Sequence, residues 1–175
     1  MDINDRKHLK RLVKADENYL KFKRSVDKNP NLRLPFEELH EELEREHKMR
    51  QVRSLHRSDK DFIGSVTDAM MQDARIRSRA TEILASTIAI KGTFTDTLTN
   101  LRDYLILAYG KRLGGTKEER RNFMENILRP FFKYIHKVDQ LREHARYIIE
   151  DIDKAGYTFK NLMESIKLLG KPESI

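Results

Sequence analysis

The chain has no cysteine, no tryptophan, and only 7 Gly and 4 Pro among its 175 residues. Without Cys there is no disulfide framework and no thiolate chemistry, so a reducing compartment is the default expectation. So little Gly and Pro suits long helices better than a compact α/β enzyme, which needs many turns. No apolar run reaches the roughly 18 residues that a membrane span requires. The first thirty residues are charged almost throughout, which does not read as a targeting segment. A soluble, intracellular protein with no membrane partner is expected. No stretch alternates cleanly at period two, and neither an internal repeat nor a low-complexity tract is present.

What the chain has in quantity is charge. Charged residues make up 36% and hydrophobic ones 38%, with a net charge of +7 and a pI near 9.5. A basic balance favours a polyanionic partner, such as nucleic acid or an anionic surface.

The apolar spacing predicts helices throughout. Residues 5 to 28 read as one helix capped by Asn4 or Asp5, with Leu9, Leu12, Val13, Leu20 and Val26 in a broken stripe. "NPNLRLP" interrupts it, and Pro35 opens a second helix over about 36 to 57, acidic first and basic last. Ser58 or Asp59 caps the next segment, which runs without proline to Arg112. It is one very long helix of roughly 80 Å, or two in series with a bend at Gly92. Thr116 to about Ala155 repeats apolar residues from Ile127 to Ile152, with a kink expected at Pro130. Gly156 is expected to end that helix, and "YTFKNLMESIKLL" to form a short final one. The expected fold is all-α: an elongated bundle on an antiparallel, coiled-coil-like pair of long helices, with basic N-terminal helices. Residues 1–57 form the basic N-terminal region, and 58–175 the long hairpin plus the short C-terminal helix. One pair cannot cover two apolar faces, so a homo-oligomer is expected.

"AYGKRLGGTKEERR", residues 108 to 121, carries the letters of a phosphate-binding loop. G-x-x-x-x-G-K-[ST] is echoed by Gly110-x-x-x-x-Gly115-Thr116-Lys117. The Lys and the hydroxyl are in the wrong order, and "NLRDYLILAYG" before them has helical spacing and no strand core. A turn accounts for every residue: Gly110 or Gly114 makes the left-handed helix exit, and Thr116 with Glu119 forms a capping box.

Candidates for chemistry are few. His40, Glu44 and His47 share a helical face, but Glu44 stands where a zinc protease needs its second His. His136 and His144 have no obvious carboxylate beside them, and no triad order, nucleophile elbow or dinucleotide fingerprint occurs. The chain reads as a non-enzyme with no metal site and no cofactor.

The basic rows are stronger. Lys7, Lys14, Lys21 and Lys28 recur every seven residues, flanked by Lys10, Arg11 and Arg24. Arg50, Arg53 and Arg57 form a second row, and Arg75, Arg77 and Arg79 a third cluster. Several cations spaced along a path suit a phosphate backbone. Tyr19 and Phe22 lie among the lysines, where bases of a single strand could stack. The candidate phosphate contacts are Lys7, Lys10, Lys14, Lys21, Arg24, Arg50, Arg53 and Arg57, with Tyr19 and Phe22 for stacking. No helix-turn-helix, zinc-finger or homeodomain pattern is present, so backbone contact rather than sequence reading is expected. The competing reading is a helical scaffold or adaptor that binds other proteins. In that case the basic stripes serve solubility or acidic partners.

The C-terminal half resembles a known layout. A long helix ends in "DYLILAYGKRLGG", and a later one runs through "ARYIIEDIDKAGYTFKNLMESIKLLGK". Tyr109-Gly110-Lys111 and Gly156-Tyr157-x-Phe159-Lys160, within about residues 80 to 171, resemble the UvsY-type recombination mediators of tailed phages. That resemblance implies a ring-like homo-oligomer that binds single-stranded DNA and loads a recombinase or other replication protein onto it. It also implies a place in the host-cell cytoplasm.

Overall fold

The computed structural model describes residues 3–32, 34–51 and 62–169. The fold is all-α. Its elements are α1 (Ile3–Ala15), α2 (Glu17–Lys28), a 3-10 turn (Pro30–Leu32), α3 (Phe36–Gln51), α4 (Phe62–Leu113) and α5 (Lys117–Leu169). No strand occurs among the described residues.

Two boundaries differ from the sequence expectation. The first helix is two, because Asp16 takes extended backbone and its carboxylate accepts from the Asn18 and Tyr19 amides, capping α2. Of the two alternatives for the proline-free segment, the single long helix is found, with Gly92 inside α4. Gly156 likewise sits inside α5, which continues through "YTFKNLMESIKLL" rather than ending and restarting. A helical glycine costs only about 1 kcal/mol against alanine, less than a docked helix gains from its apolar stripe. Pro130 also lies inside α5. The caps expected at Ser58 or Asp59 fall outside the described residues.

The α4–α5 connection is the turn that the capping-box reading required. Thr116 Oγ1 accepts from the Glu119 amide at 3.2 Å, and the Glu119 carboxylate accepts from the Thr116 amide at 2.8 Å. Gly114 and Gly115 have φ of 67° and 70°, the left-handed exit. Gly110 stays within α4. The Arg120 guanidinium donates to both glycine carbonyls, at 3.2 and 2.9 Å, and ties the turn to the start of α5.

The chain divides into two compact units, each drawn from separate stretches of sequence. Unit 1 comprises residues 1–35 and 87–140. Its core joins Val13, Tyr19 and Phe22 to Phe94, Leu98, Leu101 and Leu105 of α4 and to Met124, Ile127, Leu128 and Phe131 of α5. Phe131 is the hub: its ring lies 4.9 Å from that of Phe22 and 6.1 Å from that of Tyr19. Lys91 pairs with Asp139 at 2.7 Å, and Arg102 approaches Glu125 at 3.7 Å.

Unit 2 comprises residues 36–86 and 141–175, so α3 does not group with α1 and α2 as the 1–57 division supposed. The reason is visible side by side on α3. Leu43 is buried at its centre. One flank pairs with α4 through Glu42–Arg79 (2.8 Å) and Glu46–Arg75 (3.4 Å). The other flank meets α5: His40 Nδ1 lies 2.9 Å from His144 Nδ1, and His47 packs edge-on to Tyr147. At the end of α3, Arg50 reaches both Asp73 and Asp151. The unit's core adds Val66, Ile76, Ala80, Ile83, Leu141, Ala145, Ile148 and Ile152.

Candidate nucleic-acid interface

The α1 helix buries Leu9 and Val13 and leaves Lys7, Lys10, Arg11 and Lys14 exposed. At about 100° per residue these four cations fall within an arc of about 100°, on the side away from the core. Among the described residues none of the four makes an ion pair. In α2 the exposed Lys21, Arg24 and Lys28 fall within about 60°, opposite buried Tyr19 and Phe22. Lys21 is the exception, held by Glu17 one turn away at 2.7 Å, which keeps the Glu17 carboxyl below its usual range. The heptad of lysines is therefore two short rows on two helices, because the break at Asp16 falls between Lys14 and Lys21.

Three of the sequence-derived site residues are corrected. Tyr19 and Phe22 are each only 7% exposed, both rings packed against Phe131 and that of Phe22 also against Phe94, so neither is open to a base. Their burial follows from the aromatic stripe of α2 closing the unit 1 core. Arg50 is no phosphate contact: its side chain is 8% exposed and is bound by Asp73 and Asp151. Arg53 and Arg57 lie outside the described residues. Of the third cluster, Arg75, Arg77 and Arg79 are taken by Glu46, Asp153 and Glu42.

The structure also gathers residues that sequence reasoning missed. An aromatic ring beside the cations is exposed after all: Tyr104, 40% exposed, whose hydroxyl meets the Asp16 carboxylate at 3.3 Å. It lines a surface groove of about 490 Å³ together with Asn18, Lys21, Thr97 and Asn100. Tyr109 donates to the same carboxylate at 2.7 Å. That bond, helped by burial, pushes its phenol up to about 12. On the outer face of α5 in unit 1, Asn122, Asn126, Arg129, Lys133, His136 and Gln140 are all exposed, with no acid among them. Their spacings of four and three were the available signal, diluted by the apolar stripe between them.

Sorting the charges by unit sharpens the picture. Unit 1 carries 20 Lys and Arg against 11 Asp and Glu, a balance of +9. Unit 2 carries 15 against 17, a balance of −2, so the whole basic excess of +7 belongs to unit 1. Lys111, Arg112 and Lys117 at the α4–α5 turn add to it, all exposed.

His40, Glu44 and His47 do not converge. Glu44 pairs with Lys48 at 2.7 Å, and His47 Nε2 approaches Asp151 at 3.3 Å. Among the described residues no group of three or more His, Cys, Asp or Glu is placed to hold a metal ion, and no helix is long and apolar enough to cross a membrane. No family model matches the chain, and no curated protein and no solved structure shows a significant similarity to it.

Proposed function

We propose that the protein is a non-enzymatic nucleic-acid-binding protein that grips the phosphate backbone with unit 1. The observation that carries this reading is the segregation of charge. All of the basic excess lies in one unit, and four cations free of acids line one face of α1. Cations already paired with carboxylates must give up that partner to neutralise a phosphate and release its counterions, whereas exposed and unpaired ones need not. The rows contributing are Lys7, Lys10, Arg11 and Lys14 on α1, Arg24 on α2, and Arg129 with Lys133 on α5, while Lys21 must first leave Glu17. Single-stranded DNA is the favoured ligand, because Tyr104 gives a base a ring to stack on between Asn18 and Asn100. A place as an accessory factor beside a recombinase or other replication protein, in phage recombination or replication, belongs to the same proposal.

The finer architecture is part of this reading. Within unit 1 the segments of α4 and α5 are read as an antiparallel, coiled-coil-like pair, because the α5 partner falls from Asp139 to Glu125 as the α4 residue rises from Lys91 to Arg102. Homo-oligomerisation is supported by exposed Met71, Leu107 and Tyr157, at 68%, 81% and 72%. The same exposed side chains favour a second reading, a helical scaffold that binds other proteins.

Titrating a labelled single-stranded oligonucleotide with the full chain separates the two. A binder with Lys7, Lys10 and Lys14 reversed to Glu loses affinity and salt slope while its helicity and oligomeric state hold. A scaffold shows no binding to begin with. Deleting the N-terminal region is the poorer test, because Val13, Tyr19 and Phe22 belong to the core.

A further inference from the structure

Unit 2 holds a pair of histidines that the proposed function does not use. His40 of α3 and His144 of α5 stack with ring centroids 5.2 Å apart and planes 17° from parallel. Their Nδ1 atoms are 2.9 Å apart, a hydrogen bond in which one ring donates and the other accepts. Both rings are half-buried. The first proton added to this pair leaves the bond intact, because an imidazolium Nδ1–H still donates to a neutral Nδ1. The second proton must go to the accepting Nδ1. The bond is then lost, and two cations face each other at contact distance.

We propose that the His40–His144 pair is a proton-operated latch on the first half of α3, closed while at most one extra proton is bound and opened by the second. The surroundings favour a latch over uniform loosening. The other charges that reach His144 are Glu44 and His47, both on α3, and Glu44 is already engaged by Lys48. On α5 itself, Glu143 is bound by Arg142 and Arg146. On α4, Arg79 is held by Glu42 and Glu82. No unengaged carboxylate among these neighbours takes up the second positive charge. Burial, with His40 as the leading charge against protonation, holds the His144 imidazole below its usual value of 6.5. That direction places the second protonation on the acid side of neutrality.

The far end of α3 has a different anchor. Arg50 is bound by Asp73 and Asp151, and the guanidinium holds the Asp151 carboxyl below the usual carboxylate range. The Arg50 guanidinium and the Asp151 carboxyl keep their charges while the histidine pair takes up its second proton. Acidification therefore loosens the His40 end while the Arg50 end stays docked, and the first half of α3 becomes a hinged flap that carries Leu43.

Hydrogen exchange of the full chain at pH 7.5 and 5.5, corrected for the intrinsic rate, tests this. Protection of amides 38–44 is expected to fall at least ten-fold at pH 5.5, with that of 47–51 within about two-fold. H144N is expected to abolish the pH dependence. Unchanged protection in the wild type would overturn the proposal, and so would an equal loss along all of α3. A pH response that persists in H144N would assign it to His47 and Asp151 instead. Should H144N fold poorly, the wild-type imidazole titration decides: the hydrogen-bonded pair is expected to take up its two protons in separated steps, and two coincident, independent steps refute the latch.

Discussion

Replacing Asp16 by alanine removes one carboxylate that does three things. It caps α2 through the Asn18 and Tyr19 amides, and it accepts hydrogen bonds from Tyr109 and Tyr104 of α4. Loss of an N-cap costs about 1 kcal/mol. Leaving the half-buried Tyr109 hydroxyl without its charged acceptor adds about 1–2 kcal/mol. The Tyr104 bond, longer and exposed, adds little. A total of about 2–3 kcal/mol is expected for D16A. D16N, which still caps but carries no charge, should lose about 1 kcal/mol, and Y109F a similar amount. Because D16A and Y109F remove the same bond, the double variant should be less destabilised than the sum of the two by about 1 kcal/mol. Urea unfolding followed by tyrosine fluorescence, in a chain without Trp, reads these values. A D16A loss under about 0.5 kcal/mol, or strict additivity with Y109F, would refute the assignment of Asp16 as the tie between α2 and α4.

Arg50→Ala leaves the Asp73 carboxylate buried without its guanidinium, so unit 2 should lose about 3–5 kcal/mol in the same urea assay, and R50M/D73L should recover most of that loss. Gly92→Ala and Gly156→Ala meet nothing within 4 Å, and each should stabilise the chain by about 0.5–1 kcal/mol in thermal melts. Destabilisation by either would mean that α4 or α5 bends there. Gly115→Ala should instead cost about 1–2 kcal/mol, since its φ is +70° and a Cβ would fall 2.2 Å from the Glu119 carboxylate, which must then leave its cap. The Tyr109 phenol, pushed up to about 12 from a usual 10, favours the folded state fully below pH 10. That contribution is lost as pH rises toward 12, and difference absorbance should show one tyrosine titrating late.

The helices themselves were legible, because helical apolar spacing and the Thr116–Glu119 capping box are local signals. The break at Asp16 was legible in principle. On one continuous helix Leu9 and Val13 would point about 130° away from Tyr19, Phe22 and Val26. No single helix could bury both groups, yet "KADENYL" contains neither Gly nor Pro to flag the change. Gly156 misled in the opposite sense. Gly92 and Gly156 weaken a helix without stopping it when neighbouring turns are docked. Arg50 looks like any surface cation in a basic row. Its burial depends on Asp73 and Asp151, 23 and 101 residues away, and spacing along one helix carries no trace of them. The basic unit was hidden for a related reason. It is assembled from residues 1–35 and 87–140, so a charge balance taken along the sequence mixes it with the acidic α3.

The most direct test of the central claim is the salt dependence of binding to a labelled single-stranded oligonucleotide, for the wild type and for K7E/K10E/K14E. A linear fall of log affinity with log salt is expected, with a slope reduced by about 2 in the variant as roughly three phosphate contacts are lost. Salt-independent binding, an unchanged slope in the variant, or no binding at low salt would contradict the assignment of unit 1 as a phosphate-backbone grip.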